Sequence, residues 1–190
     1  ISLEENYFNI ENIISNSIKQ QLVADVPVGV LLSGGLDSSV IAALASNISN
    51  KKINTFTIGF ENNNYDESKK ATKIAKYLNT NHQNYILNES EALNIISDIP
   101  KIFSEPFADS SQIPQALLSR SVKKNVKVVL SGDGGDELFG GYNRYIYIKS
   151  LWKIFFTMPK KIKNGLLRAI LLNSENNWDN IYKYALSYFF

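Results

Sequence analysis

Apolar residues near the start of the chain recur at Ile10, Ile13, Ile14 and Ile18, every third or fourth position. This spacing predicts a helix running to about Gln21. Ahead of it, Ser2-x-x-Glu5 has the form of a capping box. The period then changes. "VPVGVLL" is a short run rich in β-branched residues and apolar on both faces, as expected of a strand buried within a parallel sheet. "SSVIAALASNI" reads as a small-residue helix able to pack closely on that sheet, and "INTFTIGF" (53–60) as a second strand. A polar loop, "ENNNYDES", leads to the helix "SKKATKIAKYLN" and a third strand, "HQNYIL".

A helix over Glu89–Ile99 is expected to stop at Pro100. The polar loop "SEPFADSSQIP" and the helix "PQALLSRSVKK" follow, then "VKVVLS" (126–131) as a fourth buried strand. From about Tyr142 the pattern is helical only, and there is no internal repeat or low-complexity tract. Strands alternating with helices give βαβ units. They predict an α/β fold with a doubly wound, mostly parallel sheet and flanking helices over residues 1–150, and a C-terminal helical extension over 151–190.

Composition narrows the classes. The 190 residues are 44% hydrophobic and 20% charged, which is globular, and the net charge of +2 supplies no footprint for nucleic acid or a membrane surface. No apolar run reaches transmembrane length, and the acidic start "ISLEENYF" lacks the shape of a signal peptide. The absence of cysteine excludes disulfides, a thiolate nucleophile and Cys-based metal sites, and fits a cytoplasmic protein. The first residue is Ile, so the sequence is expected to be a stretch of a longer protein.

Two glycine-rich loops carry the candidate chemistry. "SGGLDSS" (33–39) follows the first strand and "SGDGGDE" (131–137) the fourth, so both lie at the carboxyl edge of the sheet, where open α/β folds bind ligands. Gly34 and Gly35 let a ligand approach backbone N–H groups. Ser38 and Ser39 place hydroxyls at a helix N-terminus, where free N–H groups and the helix dipole favour anions. Together they suit a phosphate or pyrophosphate. Asp37 would repel phosphate unless a cation lay between them, which points to Mg²⁺. The plainer reading is a tight strand–helix turn with Asp37 as N-cap. The loop is neither a Walker A sequence nor a GxGxxG fingerprint.

"SGGLDSS" resembles the pyrophosphate loop, SGGxDS, of the N-type ATP pyrophosphatases. "DVPVGVLLSGGLDSSVIAALAS" with "LSGDGGDELFGGYNRY" is similar to the synthetase domain of glutamine-dependent asparagine synthetases, as are "TFTIGFENNNYDES" and "SEPFADSSQIP". The resemblance implies a fold like the adenine nucleotide α-hydrolases. It also implies a ligase that adenylates the side-chain carboxylate of aspartate with ATP, releases pyrophosphate and lets ammonia displace AMP. On this likeness Leu32 and Ile58 border the adenosine, and Ser33, Gly34, Gly35, Asp37, Ser38 and Ser39 hold the pyrophosphate. Ser131 and Gly132 contact the nucleotide, and Asp37 and Asp136 bind Mg²⁺. Asp133 stands where some members carry a glutamate tied to the aspartyl-AMP and ammonia steps. Its shorter side chain leaves two readings open, a catalytic carboxylate or an orienter of loop N–H groups.

Glu137 reads as a helix cap, Glu105 and Asp109 as solvated loop acids, and His82 as structural, with metal binding the alternative. The tyrosines from Tyr142 to Tyr147, with Arg144, Trp152 and Phe155, read as a packing face and not as a nucleic-acid stacking surface. The family's glutaminase domain, with its N-terminal cysteine, and its distal lysine in "VKVDR"-type sequences do not occur in these residues. The chain therefore corresponds to the ATP-binding half of a synthetase domain, inactive by itself. Its implied partners are small molecules (ATP, aspartate, and ammonia from glutamine), with self-association left open. Another N-type ATP pyrophosphatase, such as a β-lactam- or peptide-cyclising synthetase, and a non-catalytic nucleotide-binding module remain alternatives.

Overall fold

A computed structural model describes residues 2–60, 66–105, 109 and 111–172. Helix α1 (Leu3–Gln21) begins where the Ser2 hydroxyl accepts the Glu5 N–H at 3.1 Å. Strand β1 (Val28–Leu31) leads through the loop 32–35 to α2 (Leu36–Ile48), then β2 (Asn54–Phe60), α3 (Ser68–Tyr77) and β3 (Asn81–Leu87). Helices α4 (Glu89–Ile95), α5 (Ile99–Ile102) and α6 (Gln112–Val122) precede β4 (Val128–Leu130), and α7 (Gly135–Phe139), α8 (Asn143–Thr157) and α9 (Lys160–Leu172) follow it.

The four strands form one sheet in the order β3-β2-β1-β4, every pair parallel, with Gly29 opposite Asn54 on one side and Val129 on the other. The chain moves outward from β1 through β2 to β3, then returns past β1 to β4. The winding reverses between β1 and β4, and a crevice at the carboxyl ends of those two strands is the ligand position of such sheets. This is the doubly wound α/β fold expected from the alternation of strands and helices.

The sheet carries a core on each face. Val30, Leu32 and Leu130 pack with Ile18 of α1, Ala42 and Ala45 of α2, and Ala71 and Ala75 of α3. The alanines bring those helices close to the sheet. Phe56 packs with Leu118 and Val122 of α6 and Val126, joined by half-buried Leu31, Ile58, Tyr85 and Val129. Gly29 is required here, since a Cβ on it would lie 2.5 Å from the Phe56 ring.

Four expectations change. The fourth strand is shorter than 126–131 and, among the described residues, pairs only with β1, so Val128 is 43% exposed and not buried. The helix expected over Glu89–Ile99 breaks into α4, a 3₁₀ turn over Ile96–Asp98, and α5. Pro100 does not stop it but sits in the first turn of α5, where a missing N–H costs no helical bond. Pro114 likewise falls in the first turn of α6, which begins two residues earlier. On α1, only Ile18 of the predicted apolar stripe is buried, Ile14 is half-buried and Ile13 is 68% exposed.

The chain divides into two compact units, Ile1–Asp136 and Glu137–Phe190, and the sequence boundary at 150 falls within α8. In the second unit the Arg144 guanidinium lies 4.0 Å from the Tyr142 ring centre, and Lys163 lies 5.4 Å from the rings of both Phe155 and Phe156 while donating to the Phe156 carbonyl at 3.1 Å. The terminal segment "DNIYKYALSYFF" lies outside the described residues. Among the described residues no helix is long and apolar enough to cross a membrane.

Candidate nucleotide-phosphate site

The site is built on the end of β1. Leu32 is 1% exposed; its N–H donates to the Phe56 carbonyl at 2.8 Å, and its own carbonyl accepts the Thr57 hydroxyl. The loop therefore leaves a floor fixed to β2. Ser38 is also buried, at 8% exposure. Its oxygen accepts the Ser33 N–H at 3.2 Å, lies 3.0 Å from the Ser33 hydroxyl, and donates to the Gly35 carbonyl at 3.3 Å. The Ser39 hydroxyl donates to that carbonyl at 2.6 Å, and Ser33 Oγ accepts the Gly35 N–H at 3.2 Å. These hydroxyls shape the loop.

The donors left over are backbone groups. Gly35 is the N-cap of α2 and makes no side-chain cap, and the N–H groups of Leu36, Asp37 and Ser38 have no acceptor among the described residues. Unpaired N–H groups at the start of a 13-residue helix, with its dipole behind them, form an anion-binding end. Gly34 has a φ of +84°, and a Cβ there would lie 2.9 Å from Lys70 Cβ and 3.0 Å from the Ala71 nitrogen. The start of α3 thus closes one side of the loop.

The loop after β4 closes the other. A Cβ on Gly132 would lie 2.7 Å from the Ser38 nitrogen, and one on Gly135 would lie 2.5 Å from the Asp37 carboxyl carbon. Between them Gly134 turns with a φ of +88°, and the Gly135 N–H donates to the Gly132 carbonyl at 3.2 Å. The Asp37 carboxylate therefore rests on the residue preceding Asp136, and both aspartates are half-buried. Asp133 is exposed and its carboxylate accepts the Ser131 hydroxyl at 3.0 Å. Of the first loop, Asp37 and Ser38 meet Gly132 and Gly135 here, while Gly34 faces α3; Ile58 packs into the Phe56 cluster from β2.

The other candidates lie elsewhere. His82 opens β3 in register with Thr55, at the amino edge of the sheet. Its Nδ1 is 3.0 Å from the Thr55 hydroxyl, its Nε2 is buried without a partner, and burial holds its pKa below the usual value. Asp109 accepts the Ser111 N–H at 2.8 Å just ahead of α6, and that bond lowers its pKa. Pro106 to Ala108 and Ser110 of that loop lie outside the described residues, as do Glu61 to Tyr65. Glu137 accepts the Tyr142 hydroxyl at 2.6 Å, which lowers its carboxyl pKa, with Arg144 adding to the shift.

Sequence reasoning did not single out Asp66. Its carboxylate accepts the Ser68 N–H at 3.1 Å, capping α3, and would lie 2.9 Å from a Cβ on Gly59 at the carboxyl end of β2. Bonds from Ser68 hold its pKa down. The only signal was the Asp-x-Ser spacing before a helical run. Among the described residues no group of three or more His, Cys, Asp or Glu side chains could hold a metal ion.

The all-parallel sheet, with two glycine-rich loops meeting at its switch point, defines a doubly wound α/β domain. The glutamine-dependent NAD⁺ synthetase from Acinetobacter baumannii, solved in complex with ADP, shares this fold. Its TM-score is 0.52 at 20% identity, covering 70% of this chain and 27% of that one. The NH₃-dependent NAD synthetase from Campylobacter jejuni gives 0.50 at 19% identity, covering 72% and 61%. At these identities the likeness is one of fold.

The chain belongs to the asparagine synthase family, whose profile matches residues 9–187. It is 36% identical over 166 residues to the glutamine-hydrolysing asparagine synthetase 1 of Bacillus subtilis (87% of this chain, 26% of that protein). It is 35% identical over 151 residues to the glutamine-hydrolysing asparagine synthetase of Zea mays (72% and 25%). The chain spans about a quarter to a third of the length of the curated relatives it matches.

Proposed function

We propose that the two loops form one ATP site, and that the full-length protein uses it to adenylate the side-chain carboxylate of aspartate, ammonia then displacing AMP to give asparagine. The observation that carries this reading is the packing of Gly135 against the Asp37 carboxylate, which brings both loops to one helix end whose N–H groups have no acceptor. The names of the relatives, and the ADP held by the structural neighbour, support the choice of ligand and reaction.

In this reading the backbone N–H groups of Leu36, Asp37 and Ser38 hold the pyrophosphate portion of ATP, and the serine hydroxyls keep the loop in shape around it. Ser131 and Gly132 border the α-phosphate, and Leu32 and Ile58 line the adenosine side. Two carboxylates are too few for a protein-caged metal, but suit Mg²⁺ that arrives with phosphate oxygens and water. Asp37 and Asp136 would hold that ion, which when bound neutralises the departing pyrophosphate. Asp133, exposed in the same loop as Asp136, would act on the carboxyl or the ammonia. Ammonia released from glutamine and a cytoplasmic setting complete the reading.

The test is exchange of radiolabelled pyrophosphate into ATP by the full-length protein. Exchange should depend on aspartate and Mg²⁺, and fall a hundredfold or more in Asp37→Ala. Exchange that ignores aspartate, or that needs a different carboxylic acid, would overturn the substrate.

A further inference from the structure

The two loops contain no basic residue, yet they carry four carboxylates, those of Asp37, Asp133, Asp136 and Glu137. The phosphates of ATP bring several more negative charges, and a single divalent ion does not offset them all. A cation held by another element beside residues 33–39 would offset part of that charge.

We propose that Lys70, in the first turn of α3, supplies that cation and contacts the β- and γ-phosphates of the bound nucleotide. The inference rests on the ATP reading above and adds a phosphate-binding residue to it. Gly34 turns with a φ of +84°, and its α-carbon packs so closely on α3 that a Cβ would stand 2.9 Å from Lys70 Cβ. The base of the Lys70 side chain is thereby held against the loop. The contact is rigid: Ala71 is fully buried, the Ser68 N–H is capped by Asp66 at 3.1 Å, and the Thr72 hydroxyl donates to the Ser68 carbonyl at 2.8 Å.

From that base a lysine stem reaches about 5 Å. Extended over the side-chain-free surface of Gly34 and Gly35, it would approach an anion on the α2 N-terminus. Lys70 is exposed and makes no ion pair with the described residues. Glu67, the nearest acid in sequence, makes no ion pair with it among the described residues, and Asp66 is engaged with Ser68, its charge interaction running to Lys69. Lys70 is thus a committed position with an uncommitted charge. Its sequence context, "ESKKATK", is that of an ordinary solvated helix face, and only the Gly34 contact separates it from the neighbouring lysines.

The experiment is calorimetry on the full-length protein with ATP·Mg²⁺, pyrophosphate·Mg²⁺ and AMP, for wild type, Lys70→Ala, Lys70→Arg and Lys73→Ala. Lys70→Ala should weaken ATP and pyrophosphate about tenfold or more and leave AMP within about twofold, because a charge-assisted bond to phosphate is lost. Lys70→Arg should recover most of the affinity. Lys73→Ala, the same charge change one turn further along α3, should bind as wild type does. Unchanged ATP and pyrophosphate binding in Lys70→Ala would overturn the proposal, as would an equal loss for AMP, which marks a disturbed loop and not a lost contact. Wild type that binds none of the three would remove the ATP site itself, and the proposal with it.

Discussion

Gly134 and Gly135 stand side by side for different reasons, and substitution separates them. A Cβ at Gly134 meets nothing within 4 Å, but the φ of +88° is a conformation that side chains resist. Gly134→Ala should therefore cost about 1–2 kcal/mol of stability in urea unfolding. A Cβ at Gly135 strikes the Asp37 carboxylate at 2.5 Å. Gly135→Ala should instead displace Asp37 and weaken Mg²⁺-dependent ATP binding by more than tenfold in calorimetry, with the smaller effect on unfolding. A reversal of the two phenotypes would contradict the packing of loop on loop.

The two acids flanking these glycines should also part. Asp136→Asn should raise the Mg²⁺ concentration giving half-maximal pyrophosphate release by the full-length protein. Asp133→Asn should lower the maximal rate with little change in Mg²⁺ dependence. Exchanged phenotypes would swap the roles. The glycines, serines and acids of both loops were legible in the sequence because strand-end chemistry is written locally. What Ser38 does was not: whether a hydroxyl faces a ligand or bonds Ser33 and Gly35 depends on how the loop closes. Lys70 was hidden for the same reason, since its contact with Gly34 joins residues far apart in sequence.

At the scale of elements, β3 carries a titrating group at its start. His82 is held below its ordinary pKa by burial, partly opposed by the bond to Thr55. The fold thus favours the neutral ring. That contribution is complete above the unfolded value of about 6.5 and is lost as pH falls below it. The carboxylates of Asp66, Asp98, Asp109 and Glu137 are shifted down, so theirs is present above the ordinary carboxylate range and is lost only in more acidic solution. Urea unfolding between pH 7 and 5 therefore isolates His82. Stability should fall across that window in the wild type, and the slope should flatten in His82→Gln. An unchanged slope would put the dependence elsewhere. Strands and helices could be placed because β-branched runs and 3.6-residue spacing differ plainly. Pro100 misled because a proline that ends one helix and one that opens the next leave the same local mark. The place of β4 in the sheet was not legible, since strand order is set by pairing with β1 and not by the composition of "VKVVLS".

At the level of the whole fold, two distant stretches are brought side by side. β1 and β4 are neighbours only because the chain runs out to β3 and comes back, and that return sets residues 33–39 beside residues 131–136. The proposed function requires that the paired loops be a single ATP·Mg²⁺ site with Asp37 at their junction. Calorimetric titration of ATP into wild type and Asp37→Ala, each with and without Mg²⁺, tests it most directly. Wild type should bind ATP with an affinity that rises with Mg²⁺, and Asp37→Ala should lose that dependence. Equal heats and affinities from both proteins in the presence of Mg²⁺ would contradict the claim.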